Sequence, residues 1–182
     1  KKLSEAELLT RKLINVYPKV VILYNILGLI LTDQKRINEA IKFYEKGIEI
    51  DPNYSMIYNN LGTIYKSREN YKEAEDYYKK SIRLNDNIPE PQNNLGNLYL
   101  ALNKYKEAID CYKKAITINS KFFISHYNLG NVNINIGNFK DAKKHLEEAV
   151  RLNPLFCIAH RVLSTVTKYT KNDKHFKFLK KL

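Results

Sequence analysis

The sequence predicts an all-α solenoid of stacked antiparallel helix pairs, and three observations predict it. Leu-Gly recurs at Leu27-Gly28, Leu61-Gly62, Leu95-Gly96 and Leu129-Gly130, each glycine 34 residues after the last. An alanine follows each glycine twelve residues later, at Ala40, Ala74, Ala108 and Ala142. Four residues further on stand Tyr44, Tyr78, Tyr112 and Leu146. A fixed period of roughly 20–50 residues marks a repeat architecture, in which each unit buries its apolar face only by stacking on its neighbours.

The elements follow in order from that register. Residues 1–20 read as the second helix of a truncated repeat, with Leu3, Ala6, Leu13, Ile14 and Val16 at its apolar positions and Pro18 ending it. Complete repeats are assigned to 21–54, 55–88, 89–122 and 123–156. In the second, a first helix is expected over about 55–68 and its partner over about 71–84. Gly62 and Ala74 are small enough to let the two helices approach, and Tyr58, Tyr65 and Tyr78 fill the space around the contact. Asn70, Asn103 and Gly137-Asn138 are expected in the turns, where left-handed backbone ends a helix. Pro18, Pro52 and Pro154 stop second helices, whereas Pro89 and Pro91 sit where a helix begins. Residues 157–182 read as a degenerate repeat opening at His160-x-x-Leu163-Ser164, then a capping helix. In that cap Lys168, Lys171, Lys174, Lys177 and Lys180 form a wet face, and Phe176, Leu179 and Leu182 pack inward.

Composition narrows the function classes. Hydrophobic residues at 44% and charged residues at 27% place the chain among globular rather than disordered proteins. The apolar run Val20–Leu31 is interrupted by Asn25 and Gly28 and is too short to cross a bilayer. No secretory signal pattern opens the chain, and Cys111 and Cys157 share no motif, so a reducing, cytoplasmic setting is expected. The net charge of +12 raises the question of nucleic acid. Yet Lys79-Lys80, Lys113-Lys114 and Lys143-Lys144 all fall on second helices, as a solubilising outer face would place them. The aromatic residues serve packing rather than a base-stacking platform, which argues against nucleic acid. No phosphate loop, His-Glu-x-x-His or nucleophile motif is present, so no catalysis, metal or cofactor is expected. His126 and His160 share the fourth repeat position and are read as replacements for the aromatic residue that packs there.

The second repeat reads Tyr58-x-x-Leu61-Gly62-x-x-Tyr65, then Ala74-x-x-x-Tyr78. The first supplies Tyr24, Leu27, Gly28, Ala40, Tyr44 and Pro52; the third departs at Gln92 and keeps Tyr99; the fourth has His126 and Asn133 and closes with Pro154. This pattern resembles the tetratricopeptide repeat over nearly the whole chain. The resemblance implies a right-handed superhelix whose first helices line a concave groove, and a scaffold that binds another polypeptide. It also implies that repeat positions 2, 5, 6, 9, 12 and 13 face the groove. Position 5 then holds Asn25, Asn59 and Asn93, and position 6 holds Asn60, Asn94 and Asn128. Asn97 and Asn131 fall at position 9, and Asn135 at position 13. A primary amide both donates and accepts, so such a row can pair with the backbone of an extended peptide. It is similar to the asparagine ladder of O-linked N-acetylglucosamine transferases. The competing account is that the amides cross-link adjacent helices.

Chaperone-binding members of the family clamp a terminal carboxylate with Lys and Arg. Here position 5 holds Asn25 or Asn59, and the later positions hold Glu90 with Asn94, or Ile124 with Asn128, so that clamp is absent. Two alternatives are carried forward. One is the non-catalytic repeat region of a larger enzyme of glycosyltransferase or sulfotransferase type. It is suggested by the segment Ala159-His160-Arg161-x-Leu163-Ser164…Lys168-Tyr169-Thr170, which resembles a repeat–sulfotransferase junction. The other is a self-assembly module, a homo-oligomer formed through the apolar face of residues 1–20.

Overall fold

The computed structural model describes residues 2–167, and these form ten helices in chain order. Alone at the start stands α1 (Lys2–Val16). Four pairs follow: α2 (Val21–Asp33) with α3 (Ile37–Ile50), α4 (Ser55–Ser67) with α5 (Tyr71–Leu84), α6 (Pro89–Ala101) with α7 (Tyr105–Ile118), and α8 (Phe123–Asn135) with α9 (Phe139–Leu152). The last described helix is α10 (Cys157–Thr165); the expected capping helix lies outside the described residues.

Within each pair the close approach is made at the repeat glycine. A Cβ added at Gly62 would stand 2.7 Å from the ring of Tyr78, and one at Gly96 would stand 2.6 Å from Tyr112. The ring lies flat against bare backbone, so a methyl group there would overlap it. Leu27, Leu31, Leu61, Ile64, Leu98, Leu129 and Val132 fill the remaining core, all at most 2% exposed. Leu146 takes the tyrosine's place in the last complete pair.

The turn between paired helices is left-handed at one residue each time: Lys35 (φ 64°), Glu69 (φ 62°), Asn103 (φ 57°) and Gly137 (φ 78°). In the second repeat this corrects the expectation, since Glu69 rather than Asn70 adopts the left-handed backbone. The conformation belongs to the repeat position, where the chain must reverse over three residues, and packing imposes it on residues that disfavour it. A second stitch closes the turns between repeats. Tyr24 Oη donates to the Pro18 carbonyl and Tyr58 Oη to the Pro52 carbonyl, both at 2.9 Å.

First helices pack on the first helices of the next repeat, α2 on α4, α4 on α6 and α6 on α8. Successive second helices make no comparable contact among the described residues. The stack therefore fans open on the second-helix side, and the first helices line its concave face. The whole is an all-α helical-repeat superhelix.

Candidate functional site

Along the concave side the asparagines join into a ladder. Asn60 Nδ2 donates to Asn25 Oδ1 at 2.8 Å, Asn94 Nδ2 to Asn59 Oδ1 at 2.9 Å, and Asn128 Nδ2 to Asn93 Oδ1 at 2.9 Å. Each rung links position 5 of one repeat to position 6 of the next, across neighbouring first helices. Asn25, Asn59 and Asn93 are 7%, 5% and 4% exposed, so their carbonyls would be costly to leave unpaired. Asn60, Asn94 and Asn128 are half-buried and carry the rung toward solvent.

The remaining contacts differ along the row. Asn59 Nδ2 also reaches Asn60 Oδ1 at 3.3 Å. Asn97 Oδ1 accepts from Tyr112 Oη at 2.8 Å and from Asn128 Nδ2 at 3.0 Å. Ser125 Oγ adds a further donor to Asn93 Oδ1 at 2.9 Å. Among the described residues no donor reaches the side-chain carbonyls of Asn94 and Asn128, and Asn131 makes no side-chain hydrogen bond. Asn135 is exposed near the C-terminal end of α8 and takes no part in the ladder. Part of the row thus cross-links helices, while Asn94, Asn128 and Asn131 keep polar atoms without a side-chain partner among the described residues.

Both ends of the ladder change character. In the first repeat the same face carries Ile22, Ile26 and Leu29, which are 47%, 38% and 44% exposed. Their spacing puts them on one stripe of α2, with Ile26 at the position of Asn60 in the next repeat. Sequence reading fixed on amides and passed over this apolar step, though the same register contains it. At the other end position 5 is Tyr127, whose ring meets Phe156 edge-on at 5.1 Å. Lys66, at position 12 of the second repeat, is half-buried, and that burial pulls its ammonium below the usual lysine range. Lys79, Lys80, Lys113, Lys114 and Lys144 are exposed on the second helices, away from the ladder.

Positions 4 and 23 carry rings that face each other in the first, second and fourth repeats. Tyr24 meets Phe43 and Tyr58 meets Tyr77, both with ring centroids 6.4 Å apart. In the fourth repeat the facing residues are His126 and His145, with centroids 5.6 Å apart. Their Nδ1 atoms stand 3.4 Å from one another, and His126 Nε2 bonds the Ser120 carbonyl at 3.2 Å. That last bond is the tyrosine stitch made by an imidazole, as is the one from His160 Nε2 to the Pro154 carbonyl at 2.9 Å. Burial first, then His126 and Lys144, holds His145 below the ordinary imidazole range. Sequence reading grouped His126 with His160 by register and missed His145. The facing aromatic pairs at positions 4 and 23 were the signal that could have found it.

The described residues contain no helix long and apolar enough to cross a membrane. They also contain no group of three or more His, Cys, Asp or Glu side chains able to hold a metal ion.

Stacked antiparallel helical hairpins, with a row of bonded amides along the concave side, place the chain in the class of helical-repeat proteins. Family models described as tetratricopeptide repeat match residues 19–87, 77–110 and 123–156, and one described as TPR repeat matches 96–137. The chain belongs to the tetratricopeptide repeat family, whose members generally mediate protein–protein interactions. No curated protein matches the sequence. Solved structures of similar fold include YrrB, a TPR protein described as having an unusual peptide-binding site (TM-score 0.65, 22% identity, 94% of this chain and 89% of that one). PilF of Pseudomonas aeruginosa is similar at a TM-score of 0.75 and 21% identity, over 91% of this chain and 69% of its own. The first TPR of Spaghetti (RPAP3), bound to the HSP90 peptide SRMEEVD, is similar over 62% of this chain and 89% of its own (TM-score 0.59, 22% identity).

Proposed function

We propose that this chain is a non-catalytic scaffold that grips an extended polypeptide segment along its first helices. The observation that carries the reading is the ladder. Its rungs hold successive first helices in register, while the side-chain carbonyls of Asn94 and Asn128 and the whole amide of Asn131 stay available at the groove. Acceptors at the repeat spacing suit the N–H groups of an extended chain, whose backbone presents donors whatever its side chains. The apolar stripe of Ile22, Ile26 and Leu29 continues that face, so the bound segment places apolar side chains over the first repeat. An acidic tail like that of the HSP90 peptide fits poorly, because Glu90 with Asn94 and Ile124 with Asn128 stand where cations would be needed.

The test is selection of peptides from a random display library, followed by fluorescence anisotropy on the best binders. Backbone recognition predicts that N-methylation across the peptide centre abolishes binding, while alanine substitution there changes it little. Asn131→Ala should weaken binding without altering the melting temperature, and reversing charge at Lys113 and Lys114 should leave binding intact. Binding that follows the second-helix lysines and ignores Asn131 would sink the reading.

A second reading, self-assembly, draws on α1. Ala6 is exposed where the equivalent Ala40, Ala74, Ala108 and Ala142 are fully buried, and Leu8 and Leu9 beside it are 57% and 59% exposed. Light scattering that reports a monomer at high concentration would dismiss this reading. The larger-enzyme alternative rests on a segment of which Lys168, Tyr169 and Thr170 lie outside the described residues, and no geometry favours it.

A further inference from the structure

We propose that His126 and His145 form a binding site for a divalent transition-metal ion of zinc type, on the opposite side of α8 from the asparagine ladder. Three features of the pair converge on this. The first is separation. With zinc–nitrogen bonds of about 2.0–2.1 Å and near-tetrahedral angles, two ligating nitrogens stand roughly 3.3–3.4 Å apart. The two Nδ1 atoms stand 3.4 Å apart. The second is orientation. The Ser120 carbonyl can only accept, so His126 Nε2 carries a hydrogen and the neutral ring turns an Nδ1 lone pair toward His145. A backbone carbonyl holding the far nitrogen is the outer-shell arrangement that fixes a ligating imidazole. The third is access. Ile116, Ser120, His126, Lys144, His145 and Glu148 line an open niche, so an ion and its water can enter.

The substitution pattern argues in the same direction. Positions 4 and 23 are Tyr24 with Phe43 in the first repeat and Tyr58 with Tyr77 in the second, pairs that meet through ring surfaces. Replacing either one with histidine would keep a ring for packing. Replacing both turns two nitrogens toward each other, and two lone pairs that face at this distance repel unless a proton or a cation lies between them. Imidazole nitrogen suits zinc, copper and nickel. No third His, Cys, Asp or Glu joins the pair among the described residues, so water completes the coordination. Glu148, three residues beyond His145, lines the same niche with its carboxylate held by Arg151 at 2.8 Å, and offsets part of the charge of Lys144. His126 and Asn128 are two residues apart, about 200° around the helix, so the site is separate from the peptide groove and does not depend on that reading.

Calorimetric titration of the 182-residue chain with zinc chloride, in buffer free of chelators, tests the proposal. One equivalent is expected to bind, and zinc to raise the melting temperature. His126→Tyr and His145→Phe restore residues that the first two repeats carry at these positions, so both variants should fold. Each should weaken zinc binding by more than the roughly 10–100-fold that loss of an outer-shell partner costs. His160→Tyr should leave it unchanged. Retention of zinc by the double variant would overturn the site. So would a wild-type chain that takes up no zinc at 100-fold molar excess, which would leave the pair sharing a proton only.

Discussion

Repeats two and four share one frame, yet tyrosine closes the first and histidine with leucine closes the second. In repeat two, Tyr58 stitches the turn, Tyr77 stacks on it, and Tyr78 covers Gly62 while its hydroxyl reaches Thr63 Oγ1 at 3.2 Å. In repeat four the same three positions hold His126, His145 and Leu146. Backbone path, helix length and glycine contact are kept; the chemistry at the packing positions is not. The difference shows that either a phenol or an imidazole can make the position-4 stitch. Anything further that those positions do is open to change without loss of fold. The ladder contrasts with this, because the buried Asn25 and Asn59 carbonyls each accept from one donor on the next repeat.

The largest expected effect compares the ladder with its unbonded neighbour. Asn94→Ala leaves the buried Asn59 carbonyl without its donor and should cost about 1–3 kcal/mol in urea unfolding. Asn131→Ala should stay within about 0.5 kcal/mol. Equal effects would mean that the rungs do not hold the repeats together.

Next comes the helix contact. Gly62→Ala drives a methyl group into the Tyr78 ring, and overpacking of about 1–3 kcal/mol outweighs the helix-propensity gain of about 1 kcal/mol. Gly130→Ala meets Leu146, a rotatable chain, at 2.6 Å, with the Ala142 carbonyl at 3.3 Å behind it. Its denaturation midpoint should fall less. A larger fall would show that the leucine site is the more rigid.

A smaller effect tests the position-4 stitch. Tyr58→Phe removes the donor to the Pro52 carbonyl and should cost about 0.5–1.5 kcal/mol. His126→Tyr keeps a donor there and should be close to neutral by thermal melting. Should His126→Tyr prove the more damaging, the two stitches are not equivalent.

The smallest effect concerns the turns. Glu69→Gly relieves a left-handed backbone that a side chain disfavours and should raise stability by about 0.5 kcal/mol; Gly137→Ala should lower it by a similar amount. Matching signs at the two sites would show that packing, not backbone conformation, sets the cost.

Much of this was legible in the residues. The Leu-Gly register marks the helix pairs because small residues are needed wherever two helices cross closely. Asn59-Asn60 and Asn93-Asn94 advertise an amide row by adjacency alone. Their partners were less legible, since each rung joins residues 35 apart, one more than the repeat. Residue preference favours Asn70 for the left-handed turn, whereas repeat position selects Glu69, in register with Asn103 and Gly137.

The sequence by itself determined the period, the pairing of helices, the amide-rich face and the placing of lysine on second helices. These follow from spacing, since a 3.6-residue turn and a 34-residue repeat decide which side chains share a face. Tertiary structure decided which amides bond one another, which keep free acceptors, and that His126 meets His145 rather than His160. Those outcomes depend on the offset between one helix and the next. A shift of about an ångström makes or breaks a hydrogen bond, and that offset is set by the packing of all the side chains between the helices.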